Sequence, residues 1–241
     1  QEMGHDVDVY HLNESHAAFG ILGLEQQFGG RDQVKQKVVF TTHTPAEHGH
    51  VVFTRPQLSD YLSSEHMQLL SADFEADNLH LTRFCMSNSK YTNAVAKRHG
   101  EVSSRMFPNF EIDYITNGIH SSTWASPEMA RLFDRHLPGW RQKLEMLKHS
   151  EKISDTEISL AHQSAKNRLV DYVNQNTKAE FSSDVFTIGF ARRVDGYKRS
   201  GLILKDVTVL QSIAEKFGGL QLVMSGKAYY DYGPAEELIA S

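Results

Sequence analysis

The chain has 241 residues, 40% of them hydrophobic, and a formal net charge of −5. That is enough apolar material for a sizeable core, and the acidic balance argues against a general nucleic-acid binder. A single cysteine excludes an internal disulfide framework, so a reducing, cytoplasmic setting is expected.

No apolar run approaches the roughly 20 residues of a membrane span. The opening stretch 1–6 has neither the basic start nor the apolar core of a secretory signal. Asp8-Val9-Tyr10-His11-Leu12 reads as a strand almost at once, followed by a helix over 16–28 that stops at Gly29-Gly30. Val38-Val39-Phe40-Thr41-Thr42 is β-branched and continuous, the pattern of a buried parallel strand. Helices are expected over 59–70 and 88–99, with a short strand at 84–87 between them and another at 112–115. Ser126-Pro127-Glu128 is a helix start: an N-cap, proline at the first position, then an acid. Ser154 with Glu157 caps a longer helix carrying Ile158, Ala161, Ala165, Leu169 and Val173 on one stripe. Residues 185–191 read as a strongly buried strand, 202–217 as a helix and 220–224 as a strand, together a βαβ unit. The last residues, 234–241, read as the first turns of another helix, so an internal piece of a longer protein is expected. The strand signals pause near Gly118, which is the natural place to divide the chain.

In open α/β sheets, ligands bind at the carboxyl ends of strands. The strand ends here carry Asn13-Glu14-Ser15-His16, Thr42-His43-Thr44, Asn117-Gly118-Ile119-His120, the basic turn 192–199, and Ser225-Gly226-Lys227. The basic turn holds four cations in eight residues, and Arg193 and Lys198, five apart across Gly196, suit one phosphate. A solvated basic loop is the other reading of the same residues. His43 is equally readable as a satisfied core histidine, and Glu14 with His16 as ordinary helix capping. His43, His48 and His50 lack the carboxylate or cysteine spacing of a metal centre, so no metal is expected.

Five segments in order resemble the α-glucan (glycogen, starch or maltodextrin) phosphorylase family, closest to its shorter bacterial and archaeal branch. They are 11–19, Phe40-Thr41-Thr42-His43-Thr44-Pro45, Thr116-Asn117-Gly118-Ile119-His120 with Trp124, 189–199, and Gly226-Lys227-Ala228. The resemblance implies an α/β chain made of portions of two Rossmann-like domains of a GT-B glycosyltransferase fold. Residues 1–118 would be the C-terminal part of the first domain and 119–241 the N-terminal part of the second. It implies reversible phosphorolysis of terminal α-1,4-glucosidic bonds, giving α-D-glucose 1-phosphate with retention. The implied partners are an α-1,4-glucan or maltodextrin, orthophosphate and glucose 1-phosphate, with no nucleic acid or membrane; a homo-oligomer is compatible with it. The implied cofactor is pyridoxal 5'-phosphate, whose Schiff-base lysine is expected outside this chain, so the isolated stretch is expected to be inactive.

By the same resemblance, Arg193 and Lys198 hold the substrate phosphate and Arg192 the cofactor phosphate. Tyr197 faces the 2-hydroxyl side of glucose. His43 and Asn117 grip its 6-hydroxyl, and Glu14 and His16 lie toward the acceptor. Residues 46–50 and 229–232 depart from the family's short branch, which leaves acceptor preference open. Two other readings share these residues: a GT-B transferase using a nucleotide sugar, and a non-catalytic glucan-binding fragment.

Overall fold

The computed structural model describes residues 6–194 and 196–227. The chain divides into two units, Gln1–Gly118 and Ile119–Ser241. In the first, β1 (Tyr10–Asn13) passes through a 3-10 turn at Ser15–Ala17 into α1 (Gly20–Phe28). α1 ends at Gly29, whose φ of 81° is the left-handed cap that a residue without Cβ adopts freely. α2 (Arg31–Lys35) leads to β2 (Val38–Thr42). An excursion follows: β3 (Val52–Thr54), α3 (Arg55–Ser59), α4 (Ser64–Leu69) and β4 (Asn78–His80), with β3 and β4 antiparallel. Then come α5 (Leu81–Ser87), β5 (Tyr91–Ala94), α6 (Lys97–Met106) and β6 (Asp113–Tyr114).

The four strands β1, β2, β5 and β6 lie side by side in that order, every pair parallel. The unit is therefore mixed α/β around a parallel sheet. β2 is buried along nearly its whole length, as its continuous β-branched run requires. Leu12, Ile21, Val38, Phe40, Leu79, Phe84 and Phe107 belong to one apolar core built around this sheet.

In this unit three elements differ in kind or continuity from the sequence expectation. Residues 84–87 are helical, because a short apolar run reads alike in either state. Here the His80 side chain accepts from the Arg83 amide and starts α5. Residues 88–99 are not one helix. Asn88 closes α5, its side-chain Nδ2 donating to the Phe84 carbonyl at 2.7 Å, and β5 begins three residues later. Thr92 and Asn93 concealed that strand: they are polar yet buried. The helix expected over 59–70 is split into α3 and α4. Thr54 and Gln57 start α3 with a reciprocal capping box, and Ser63 caps α4.

In the second unit, α7 (Ser121–Trp124) and α8 (Pro127–His136) precede a 3-10 stretch at Leu144–Lys152 and the long α9 (Asp155–Asn176). Ser126 and Ser154 cap α8 and α9 through their hydroxyls. Trp140, Leu132, Leu137 and Ile153 form the local core, and Ile158 and Ala161 pack on it. Further along α9, Val170 is buried and Leu169 is exposed. Arg168 forks onto both oxygens of Glu128 at 3.1–3.2 Å, tying α9 to α8 and holding the Glu128 carboxyl down at about 2.

β7 (Phe186–Ala191), α10 (Val207–Phe217) and β8 (Leu220–Ser225) form a parallel βαβ unit with six residue pairs in register. β7 is not the strongly buried strand that its composition suggests: Phe186 is 66% exposed and no residue of β7 is fully buried. Among the described residues β8 is the strand hydrogen-bonded to it, so its apolar side chains are only partly covered. The helix start expected at 234–241, the 229–232 stretch and Asp195 lie outside the described residues.

Candidate functional site

In the first unit, β1 and β2 end side by side, and the residues after them meet. Glu14 follows β1 with φ 65° and ψ 171°, a backbone region that is nearly exclusive to glycine. Its own amide continues the sheet by donating to the Thr41 carbonyl at 2.8 Å. Its carboxylate takes three donors: the Ser15 amide on Oε1 at 3.1 Å, and the His43 amide at 2.7 Å and Thr44 hydroxyl at 3.0 Å on Oε2. His43 Nε2 lies 2.5 Å from Asn13 Oδ1. An amide oxygen accepts only, so Nε2 donates, and in the neutral imidazole Nδ1 is then the ring's acceptor.

The strands beneath carry a polar chain. Thr41 donates its hydroxyl to Asn93 Oδ1 at 2.9 Å, so His11 Nε2, 2.7 Å from the same hydroxyl oxygen, must donate to it. Asn117 lies past β6, exposed, with its amide donating to the Val95 carbonyl at 3.0 Å. His16 sits exposed in the 3-10 turn after Glu14. The structure thus joins Glu14 directly to His43, while Asn117 and His16 are placed at the same edge by backbone.

His50 is elsewhere. It is buried, with Nδ1 2.9 Å from the Thr82 hydroxyl and its ring 5.5 Å from His80 and 5.1 Å from Phe107. Burial, followed by the neighbouring His80, pushes it down to about 4. Among the described residues no group of three His, Cys, Asp or Glu side chains is arranged to hold a metal ion.

In the second unit, the segments leaving β7 and β8 run together. The Arg192 amide donates to the Ser225 carbonyl at 3.1 Å, and the Val194 amide to the Lys227 carbonyl at 3.0 Å. Arg192, Arg193 and Lys227, all exposed, therefore share one carboxyl edge of the βαβ unit. Gly226 makes this approach feasible: a Cβ there would stand 2.1 Å from the Arg192 carbonyl oxygen. Gly196–Lys198 is a 3-10 turn, with the Lys198 ammonium 4.4 Å from the Tyr197 ring centroid. Arg199 follows with φ 53°.

A cavity of about 560 Å³ lies at the opposite, amino-terminal edge of the first sheet, lined by Lys90, Tyr91, Asn109 and Asp113 among others. Sequence reasoning placed Asn13, Thr44 and Lys227 at strand ends but assigned them no role. Asn13 and Thr44 gain their roles from partners about 30 residues away, which no local pattern reports.

A carbohydrate phosphorylase family model matches residues 50–240. The chain belongs to the carbohydrate phosphorylase family. Its relatives in that family include the maltodextrin phosphorylase of Thermococcus litoralis, 30% identical over 94% of this chain and 32% of the relative. The glycogen phosphorylase of Aquifex aeolicus is 29% identical over 95% of this chain and 40% of the relative. That of Mycobacterium tuberculosis is 27% identical over 92% of this chain and 32% of the relative. The chain thus spans 32–40% of the length of these phosphorylases. Among the described residues no helix is long and apolar enough to cross a membrane.

Proposed function

We propose that the complete protein is an α-glucan phosphorylase, in which orthophosphate takes the terminal glucose of an α-1,4-glucan. The observation that carries this reading is the basic edge of the second unit, where Gly226 lets the segments bearing Arg192, Arg193 and Lys227 lie together. The names of the phosphorylase relatives supply the substrate class. In the same reading the two units are portions of two Rossmann-like domains of a GT-B fold, divided at residue 118, and the setting is cytoplasmic.

The chemistry follows from charge. Breaking the glycosidic bond leaves positive charge on the anomeric carbon. A phosphate oxygen forms the new bond to that carbon, and the proton carried by orthophosphate goes to the departing 4-oxygen. Arg193, with its planar fork, and Lys198, with its point charge, are the residues assigned to that phosphate. Tyr197 is assigned to the 2-hydroxyl side of the sugar. His43 and Asn117 are assigned to the 6-hydroxyl, a polar contact that rejects sugars lacking it. Glu14 and His16 border the acceptor side. The exposed guanidinium of Arg192 suits a second phosphate, that of pyridoxal 5'-phosphate. When bound, that cofactor supplies a phosphate group able to exchange protons.

The test is direct. The full-length protein, given maltodextrin and orthophosphate, should release α-D-glucose 1-phosphate and shorten the glucan. Transfer from a nucleotide sugar without phosphate dependence, or glucan binding with no turnover, would overturn the reading.

A further inference from the structure

Glu14 is an expensive residue to place where it stands. Its φ and ψ of 65° and 171° fall where any side chain is strained relative to glycine. A non-glycine residue held there is held by something, and the carboxylate shows what. Its three bonds all go to the protein: to Ser15, its own neighbour, and across to the His43 amide and the Thr44 hydroxyl. The two that cross from the end of β1 to the end of β2 extend the link between these strands beyond the last backbone pair, Asn13 with Thr41. Asn13, the preceding residue, completes the arrangement by taking the Nε2 proton of the same histidine.

We propose that Glu14 is a positioning residue, whose carboxylate fixes the backbone at His43 so that the ring, oriented by Asn13, presents Nδ1 as an acceptor for a sugar hydroxyl. This rests on the assignment of His43 to the 6-hydroxyl. It assigns Glu14 a role through His43 in place of direct contact with the glucan. It also sets the direction of the hydrogen bond: the 6-hydroxyl donates and His43 accepts. Two elements of the chain would be coupled in this way, with backbone strain at Glu14 held in place by the bonds that order His43.

The strain supplies an unusual test. Glu14→Gly removes the carboxylate and at the same time relieves the backbone, so it should keep or raise thermal stability while loosening His43. In the full-length enzyme, kcat/KM for glucose 1-phosphate should fall about 10- to 100-fold, the order seen when the partner that orients a functional histidine is lost. Glu14→Gln keeps one acceptor oxygen and should lie between the two. With 6-deoxyglucose 1-phosphate, wild type and Glu14→Gly should differ little. In a His43→Ala background, Glu14→Gly should add little further loss. Unchanged activity in Glu14→Gly, a loss that persists with the 6-deoxy substrate, or losses that add to that of His43→Ala would each overturn the proposal. Should Glu14→Gly not fold, Glu14→Gln decides by the same comparisons. A wild-type enzyme that neither phosphorolyses glucan nor distinguishes the 6-deoxy substrate would instead remove the reading beneath it, and the proposal with it.

Discussion

Acid should loosen the first unit, and His50 sets the scale. The imidazole is buried, hydrogen-bonded to Thr82 and packed against His80 and Phe107. Its pKa falls from an ordinary 6.5 to about 4, through burial first and then through His80. The charges facing it act in both directions: His80 and His99 push it down, while Glu14 and Glu47 pull it up. Because the folded pKa lies below the unfolded one, the unfolded chain binds the extra proton as pH falls. The stabilisation is thus fully present above pH 6.5 and is lost between about 6.5 and 4. A shift of this size is worth on the order of 3 kcal/mol in all, of which about 2 is gone by pH 5. That is a large share of the roughly 5–15 kcal/mol that holds a domain together. Burial also lowers His80 and His99, so they act in the same direction. The assay is amide hydrogen exchange in β2 and α5 of the intact protein, corrected for intrinsic rates, at pH 7, 6 and 5. His50→Asn, which keeps a polar partner for Thr82 but cannot take the proton, should flatten the pH dependence. Parallel pH dependence in wild type and variant would refute the argument.

Three further outcomes follow from the site. Arg193→Ala and Lys198→Ala should each cut phosphorolysis by about two orders of magnitude, the scale of losing one preorganised charge at a reacting group. Arg199→Ala, set apart by its left-handed backbone, should cost far less, and rates at varied phosphate separate the three. Replacing His43 or Asn117 by alanine should remove about 2–4 kcal/mol of transition-state stabilisation, again the scale of one lost donor. That loss should shrink for a 6-deoxy substrate, as steady-state kinetics with both sugars would reveal. Gly226→Ala should force the segments after β7 and β8 apart, because the added methyl would sit 2.1 Å from the Arg192 carbonyl oxygen. A lowered melting temperature together with weakened phosphate dependence is expected, and a variant that melts and titrates like wild type would contradict the close approach.

Much of this chain is legible one residue at a time. β2 announces itself by composition, because a strand buried on both faces needs nothing but apolar and β-branched side chains. Ser126, Pro127 and Ser154 mark helix starts because capping is a local bond between a side chain and an amide three residues on. The ordered segments that resemble a phosphorylase likewise required only the letters. Other features depended on partners far along the chain. β5 became a strand despite its polar Thr92 and Asn93, since the neighbouring β2 satisfies one side of its backbone and Thr41 the Asn93 side chain. Nothing near Glu14 says that its carboxylate will reach His43 and Thr44, or that Asn13 will choose the tautomer of that ring. Those bonds span about 30 residues and exist only because parallel pairing brings the ends of β1 and β2 to the same edge. Composition can nominate a histidine or an acid; only the register of the sheet decides which two will meet.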